Sequence, residues 1–284
     1  MIASINLTFV QIRFKMKKCY CWVLLSFLII SCSPNNVETD SSPETIFKSN
    51  NVDGCFAMLN NMNGKFSVYN LSRFRDSSFS PASTFKIVNS LIGLQTGNIT
   101  NDSMQIKWDG VERSVPAWNK DLTMYEAFRV SSVPYYQEVA RRIGKQTMQT
   151  WLDTLAYGNK KIGGPGDSFW LDNSLKIKPD EQLGLVKKLY FNELPFFKLN
   201  QEIVKRAMLF EDNANYKLSY KTGTALTETG KILIWVVGWI EENRHPYFFV
   251  LNFESDDLSI SSGRQGITIL KSILKKKGFF EGKL

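Results

Sequence analysis

Ser83-Thr84-Phe85-Lys86 places a hydroxyl three residues before an amine, and Lys221-Thr222-Gly223 adds a second lysine far downstream. Residues three apart share one face of a helix, so the Ser83 hydroxyl and the Lys86 amine can meet, and the amine can activate the hydroxyl. Such a pair is suited to acyl transfer. Spacing alone is weak support, because S-x-x-K is expected about once by chance in a chain of this length. Ser272-Ile273-Leu274-Lys275 repeats the spacing, but in a basic stretch with helical apolar periodicity, which predicts a surface helix without chemistry.

Rival chemistries lack their residues. The single histidine, His245, lies in the polar run Asn243-Arg244-His245-Pro246 between two predicted strands, which predicts a turn residue rather than the base of a Ser-His-Asp triad. With one histidine and few cysteines the usual zinc ligand sets cannot be filled. Neither G-x-x-x-x-G-K-[ST] nor G-x-G-x-x-G occurs, so phosphate-cradling loops are unsupported. A lysine that activates a serine must be neutral at working pH, through burial or neighbouring positive charge. Phe85, Ile87 and Val88 surround Lys86 in sequence, and Ser83 falls at a predicted helix N-terminus, where the backbone dipole disfavours another cation.

The elements that must hold these residues follow from periodicity and turn signals. Residues 55–59 and 66–69, separated by Asn60-Asn61-Met62-Asn63-Gly64, predict strand, turn and strand. A helix opens near Pro81 and closes at Gly97, with apolar residues at 87, 88, 91, 92 and 94. A short helix is expected from Glu44, helical pieces at 133–143 and 180–190, strands at 217–220, 232–240 and 247–253, and a closing helix at 266–277. Strands at both ends with helices between predict an α+β fold: an antiparallel sheet flanked by terminal helices, with an inserted, mostly helical portion. Residues 44–284 then form one catalytic unit, its sheet portion at about 44–80 and 212–284 and its helical portion at about 81–211.

The composition, 43% hydrophobic and 22% charged over 284 residues, is that of a globular chain. Its net charge is +8, but Arg13, Lys15, Lys17 and Lys18 precede residue 32 with no acid among them, and removing those four charges leaves +4. That bias is too weak to imply a nucleic-acid partner. Lys15, Lys17 and Lys18 precede the apolar run 19–30, which has the length of a signal-peptide core and falls short of the ~20 residues of a membrane span. Met1 and Met16 are both compatible starts. Ile29-Ile30-Ser31-Cys32 has the form of a lipobox, so residues 1–32 are expected to be a signal peptide, with Cys32 lipidated or cleavage nearby, and 33–43 a Ser-, Pro- and Asn-rich tether. The expected location is the periplasm, with membrane contact only through that anchor. Cys55, in an apolar run, is expected to be a buried small residue, and no disulfide is expected to hold the fold.

In order and spacing, Ser83-Thr84-Phe85-Lys86, Ser131-Ser132-Val133, Tyr157-Gly158-Asn159 and Lys221-Thr222-Gly223 resemble the class D (oxacillinase-type) serine β-lactamases. Lys107-Trp108-Asp109-Gly110, Trp118-Asn119, the run from Val133-Pro134-Tyr135-Tyr136 to Gly144, and Phe169-Trp170-Leu171 extend the likeness over about residues 45 to 280. The resemblance implies the penicillin-recognising transferase fold, with β-lactam antibiotics as substrates, no metal, and a Ser83 acyl-enzyme. It implies that Lys86 carries a carbamate (N6-carboxylysine) derived from CO2 or bicarbonate, which acts as general base. Trp170 would hydrogen-bond the carbamate and Ser131 would shuttle a proton. The Ser83 and Thr224 amides would form an oxyanion hole, and Lys221, Thr222, Gly223 and Arg264 would receive the substrate's carboxylate. Tyr157-Gly158-Asn159 would shape the site wall. Val133 matters physically, because an apolar neighbour favours a neutral amine that can take up CO2.

Departures from the family are Thr224-Ala225 after the K-T-G and Asp172-Asn173 after Trp170-Leu171. They leave the substrate spectrum open. Class A is disfavoured, since S-S-V replaces S-D-N and E-x-x-L-N does not occur. The competing reading is a β-lactam sensor or transpeptidase that acylates without turnover; such sensors carry S-x-N, several membrane spans and H-E-x-x-H. Either a monomer or a homodimer fits the sequence.

Overall fold

Two long strands, β8 (Ile232–Glu242) and β9 (His245–Ser255), are apolar at nearly every position, as strands covered on both faces must be. In the computed structural model, which describes residues 36–258 and 263–284, they form the centre of a seven-stranded sheet. Leu233, Trp235, Val237 and Trp239 of β8 enter the core on the helical side, while Ile234, Val236 and Ile240 enter the core on the opposite side. This is the two-residue alternation of a strand. Asn243 and Arg244, at φ 49° and 64°, make the tight turn between β8 and β9 with the left-handed geometry that suits the strand twist.

The sheet runs β1 (Val37–Thr39), β3 (Lys65–Tyr69), β2 (Asp53–Asn60), β9, β8, β7 (Tyr216–Leu226), β6 (Leu209–Asp212). Helix α1 (Glu44–Ser49) contributes Phe47 to the core on one face, and α9 (Gly263–Lys276) contributes Ile269, Leu270, Ile273 and Leu274. Between β3 and β6 lie α2 (Leu71–Asp76), a 3-10 turn at Ala82–Phe85, α3 (Lys86–Gln95), the small β4 (Gln105–Ile106) and β5 (Leu122–Thr123) ribbon, and α4 (Met124–Arg129). Then come α5 (Val133–Ile143), α6 (Lys145–Thr154), α7 (Pro179–Tyr190) and α8 (Lys198–Met208). Sheet and helices pack as one compact unit from residue 36 onward.

Four expectations need correcting. The sheet is mixed, because β1 pairs in parallel with β3; α1 and β2 intervene and return the chain in the same direction. The tether from 33 to 43 is structured where described, for Val37 packs on the core, β1 satisfies the edge of β3, and Asp40 accepts from Ser67 and pairs with Lys277. His245 is the first residue of β9, paired with Glu242, and its Nε2 accepts from the Met62 N–H at 2.9 Å. The signal segment and Cys32 lie outside the described residues. Strand β7 also runs past residue 220 to Leu226, which places Lys221, Thr222 and Gly223 within the ladder opposite Val237, Val236 and Trp235.

Candidate active site

The 3-10 turn carrying Ser83 lies directly against β7. A Cβ added at Gly223 would stand 3.0 Å from the Pro81 carbonyl oxygen and 3.2 Å from the Thr84 nitrogen. Only glycine permits that approach without pushing the strand from the nucleophile. Within the turn, the Thr84 amide and hydroxyl both donate to the Pro81 carbonyl, at 3.1 and 2.6 Å. The Thr84 hydroxyl in turn accepts from Gln182 Nε2 of α7 at 2.7 Å. Ala82 is held at φ 49° and Ser131 at φ 56°, a strained backbone for residues with a Cβ, and both flank the reacting groups.

Ser83 is half-buried and reachable, whereas Lys86, at the first position of α3, is fully buried. The two functional atoms, Lys86 Nζ and Ser83 Oγ, are 2.7 Å apart. Burial lowers the Lys86 pKa well below the usual lysine range, and the nearby Lys221 lowers it further. Lys221 is itself buried, which brings its pKa down to about 7. Its Nζ donates to Ser131 Oγ at 2.9 Å and to the Thr222 carbonyl at 3.0 Å. Ser131 precedes α5; Ser132 caps that helix by accepting from the Tyr135 amide, and Val133 begins it.

Around Phe85, next to Lys86 in the nucleophile turn, the walls are aromatic. Phe85 stacks on Trp170 at 5.4 Å and meets Tyr157 and Phe169 edge-on. Trp170 is fully buried, its carbonyl accepts from Ser80 Oγ, and its indole Nε1 has no hydrogen-bond partner. A buried N–H donor without an acceptor is costly, so this one marks a place made for an acceptor. The Tyr136 ring centre is 5.7 Å from Lys86 Nζ, and the Phe128 ring is 5.5 Å from Lys221 Nζ. Asn159 braces the loop that bears Trp170: its side chain donates to the Ser174 carbonyl and accepts from the Lys176 amide.

A Cβ on Gly263 would stand 2.7 Å from Thr222 Cβ, which brings the start of α9 beside the K-T-G strand, and Arg264 follows with an exposed side chain. Thr224 continues the ladder opposite Ile234. The sequence-predicted Ser83, Lys86, Ser131, Lys221 and Gly223 thus converge, with Trp170 behind Phe85. The second S-x-x-K does not join them: Ser272 is exposed on α9 and donates to the Thr268 carbonyl. Cys55 is buried, and its thiol pKa is pushed up to about 12, mainly by that burial. Among the described residues no cluster suited to a metal ion occurs.

Sequence reasoning missed Gln182, Phe128 and the placement of Tyr136. Tyr136 lay inside the V-P-Y-Y run, but nothing local links Gln182 to a threonine 98 residues away.

Residues 47–276 match the penicillin binding protein transpeptidase domain. The chain is 43% identical over 227 residues to the probable β-lactamase YbxI of Bacillus subtilis, covering 80% of this chain and 82% of that protein. Among solved structures, the class D β-lactamase FUS-1 (OXA-85) of Fusobacterium nucleatum superposes with a TM-score of 0.81 at 35% identity, over 86% of this chain and 100% of that one. The C-terminal domain of the Bacillus licheniformis BlaR penicillin-receptor also has a TM-score of 0.81, at 32% identity, over 86% of this chain and 97% of that one.

Proposed function

The chain belongs to the class D serine β-lactamases, hydrolases that open the β-lactam amide bond, and on that premise we propose how its own residues divide the work. Ser83 Oγ attacks the lactam carbonyl, the C–N bond breaks, and the acyl group stays on Ser83 until water releases it. The developing oxyanion is received by the backbone N–H groups of Ser83 and Thr224. Lys221, with Thr222 and Arg264, receives the substrate's carboxylate, and Ser131, hydrogen-bonded to Lys221, carries the proton to the departing nitrogen.

The observations that carry this reading are a buried Lys86 amine held 2.7 Å from Ser83 Oγ and a buried Trp170 N–H, stacked on Phe85 next in sequence to Lys86, that has no partner. A neutral amine is the form that reacts with CO2, and a buried donor without an acceptor suits the anionic product. A carbamate bound there would supply an anionic general base. Lys86 would hold it, Trp170 would donate to it, and Val133 and Tyr136 would keep bulk water from the amine. The protein acts in the periplasm, with β-lactams as its small-molecule partners, and residues 1–32 direct it there with Cys32 as the lipid-bearing residue.

Purified protein is expected to hydrolyse a chromogenic cephalosporin, faster with added bicarbonate, and Ser83→Ala is expected to abolish the activity. The likeness to the penicillin-receptor domain favours one second reading, acylation without turnover. A stable acyl adduct by intact mass, with no burst of repeated hydrolysis, would establish that reading instead.

A further inference from the structure

Helix α5 has two working faces. Tyr136 looks toward Lys86, while Pro134, Glu138 and Arg141 lie roughly 150° around the helix from it, at 100° per residue. Those three border a cavity of about 440 Å³ whose far wall is the loop between β4 and β5. Ser83, Lys86, Ser131, Trp170 and Lys221 do not line it. Its volume falls in the range of small-molecule sites, about 300–1,000 Å³.

We propose that this cavity is a second ligand site, for a flat aromatic molecule carrying a carboxylate or sulfonate. The wall is built to hold its shape. Arg113 grips Asp109 through two hydrogen bonds of 2.6 and 2.8 Å, the Trp108 amide donates to Asp121 at 2.8 Å, and the Asn119 side chain spans the Arg113 amide and carbonyl, both at 2.9 Å. Trp108 and Trp118, which border the cavity, spend their indole N–H groups on the carbonyls of Val111 and Val130. What remains of those rings for a ligand is apolar surface, with Tyr135 and Pro134 beside it.

Charge selects the other half of the ligand. Lys107, Lys120, Arg141 and Arg142 border the cavity against only Asp109 and Glu138. Asp109 is committed to Arg113, Glu138 is shared between Arg141 and Arg142, and Arg141 is also paired with Asp167 at 2.5 Å. Lys120 has its carboxylate partner, Glu126, at 4.0 Å, the loosest ion pair among the described residues. Lys107, which has no ion pair among the described residues, and the loosely held Lys120 are therefore the cations left to a ligand, and two indoles beside them suit an aromatic anion.

The test is isothermal titration of the purified protein with 2-naphthoate. We expect one saturable site, unchanged when Ser83 has first been acylated by a slowly released β-lactam. Binding should weaken at least tenfold in Lys107→Glu/Lys120→Glu, which alters exposed side chains and leaves the loop's own hydrogen bonds intact. It should weaken similarly when neutral 2-naphthalenemethanol replaces the acid, and Trp108→Ala should reduce it in the otherwise native protein. Displacement by acylation of Ser83, indifference to the two lysine reversals, or the lack of saturable binding would each overturn the proposal.

Discussion

Replacing Trp170 by Phe isolates the donor on which the Lys86 reading depends. The substitution keeps a ring beside Phe85, where the native pair stacks at 5.4 Å, and removes the Nε1–H that lacks a partner. A hydrogen bond to a charged group contributes roughly 1.5–3 kcal/mol. At 1.36 kcal/mol per factor of ten, its loss should weaken CO2 uptake about 12- to 160-fold. Two measurements read this: the bicarbonate concentration that gives half-maximal turnover of a chromogenic cephalosporin, and the ¹³C signal of the carbamate in labelled bicarbonate. Turnover at saturating bicarbonate should recover substantially, which separates loss of the donor from damage to packing. The same half-saturating concentration in wild type and variant would refute the reasoning. The pH sign follows from the amine. Burial and Lys221 hold the Lys86 pKa well below the usual lysine range, so the reactive neutral form extends to lower pH than for an ordinary lysine and is lost as pH falls, and the bicarbonate requirement should rise in acid.

Two further outcomes test other parts of the site. Lys221→Met should abolish efficient turnover yet raise the thermal midpoint at neutral pH, because burying Lys221 lowers its pKa to about 7 and so costs stability. That cost is full below about pH 7 and fades as pH rises toward the ordinary lysine range, so the gain in midpoint should shrink at pH 10. Gln182→Leu, which removes the donor to Thr84 while preserving volume, should slow acylation about 5- to 20-fold with little change in KM, on the scale of one buried hydrogen bond. Thr84→Val should not add to it in a double-mutant cycle, since both break one relay to Pro81.

How far the sequence could be read depended on whether a feature is local. The helix at 133–143 and the strands around 232–240 and 247–253 were legible because their apolar periods are set by faces that each element buries alone. Ser83 and Lys86 were legible for the same reason, since their 2.7 Å approach lies within one turn of chain. Strand β1 was not, because residues 37–39 look like polar linker and become a strand only beside β3. The extension of β7 to Leu226 was hidden by Lys221, Thr222 and Gly223, which break the apolar alternation for the sake of the site. Gln182 was invisible, for a glutamine in an amphipathic helix carries no mark of the partner it finds across the fold.

The pairing of β2 with β9 joins residue 53 to residue 254, and the sheet cannot close until both exist. A chain delivered from its N-terminus therefore carries the nucleophile turn long before β7 arrives to face it, and β2 waits with an open edge for a partner almost two hundred residues behind. Such late, long-range pairing raises contact order, which favours slow folding and exposure to aggregation before the sheet is complete. Antibiotic hydrolysis then begins only when the last strands have docked, so the supply of active enzyme is governed by the tempo of its assembly as well as by the chemistry of Ser83.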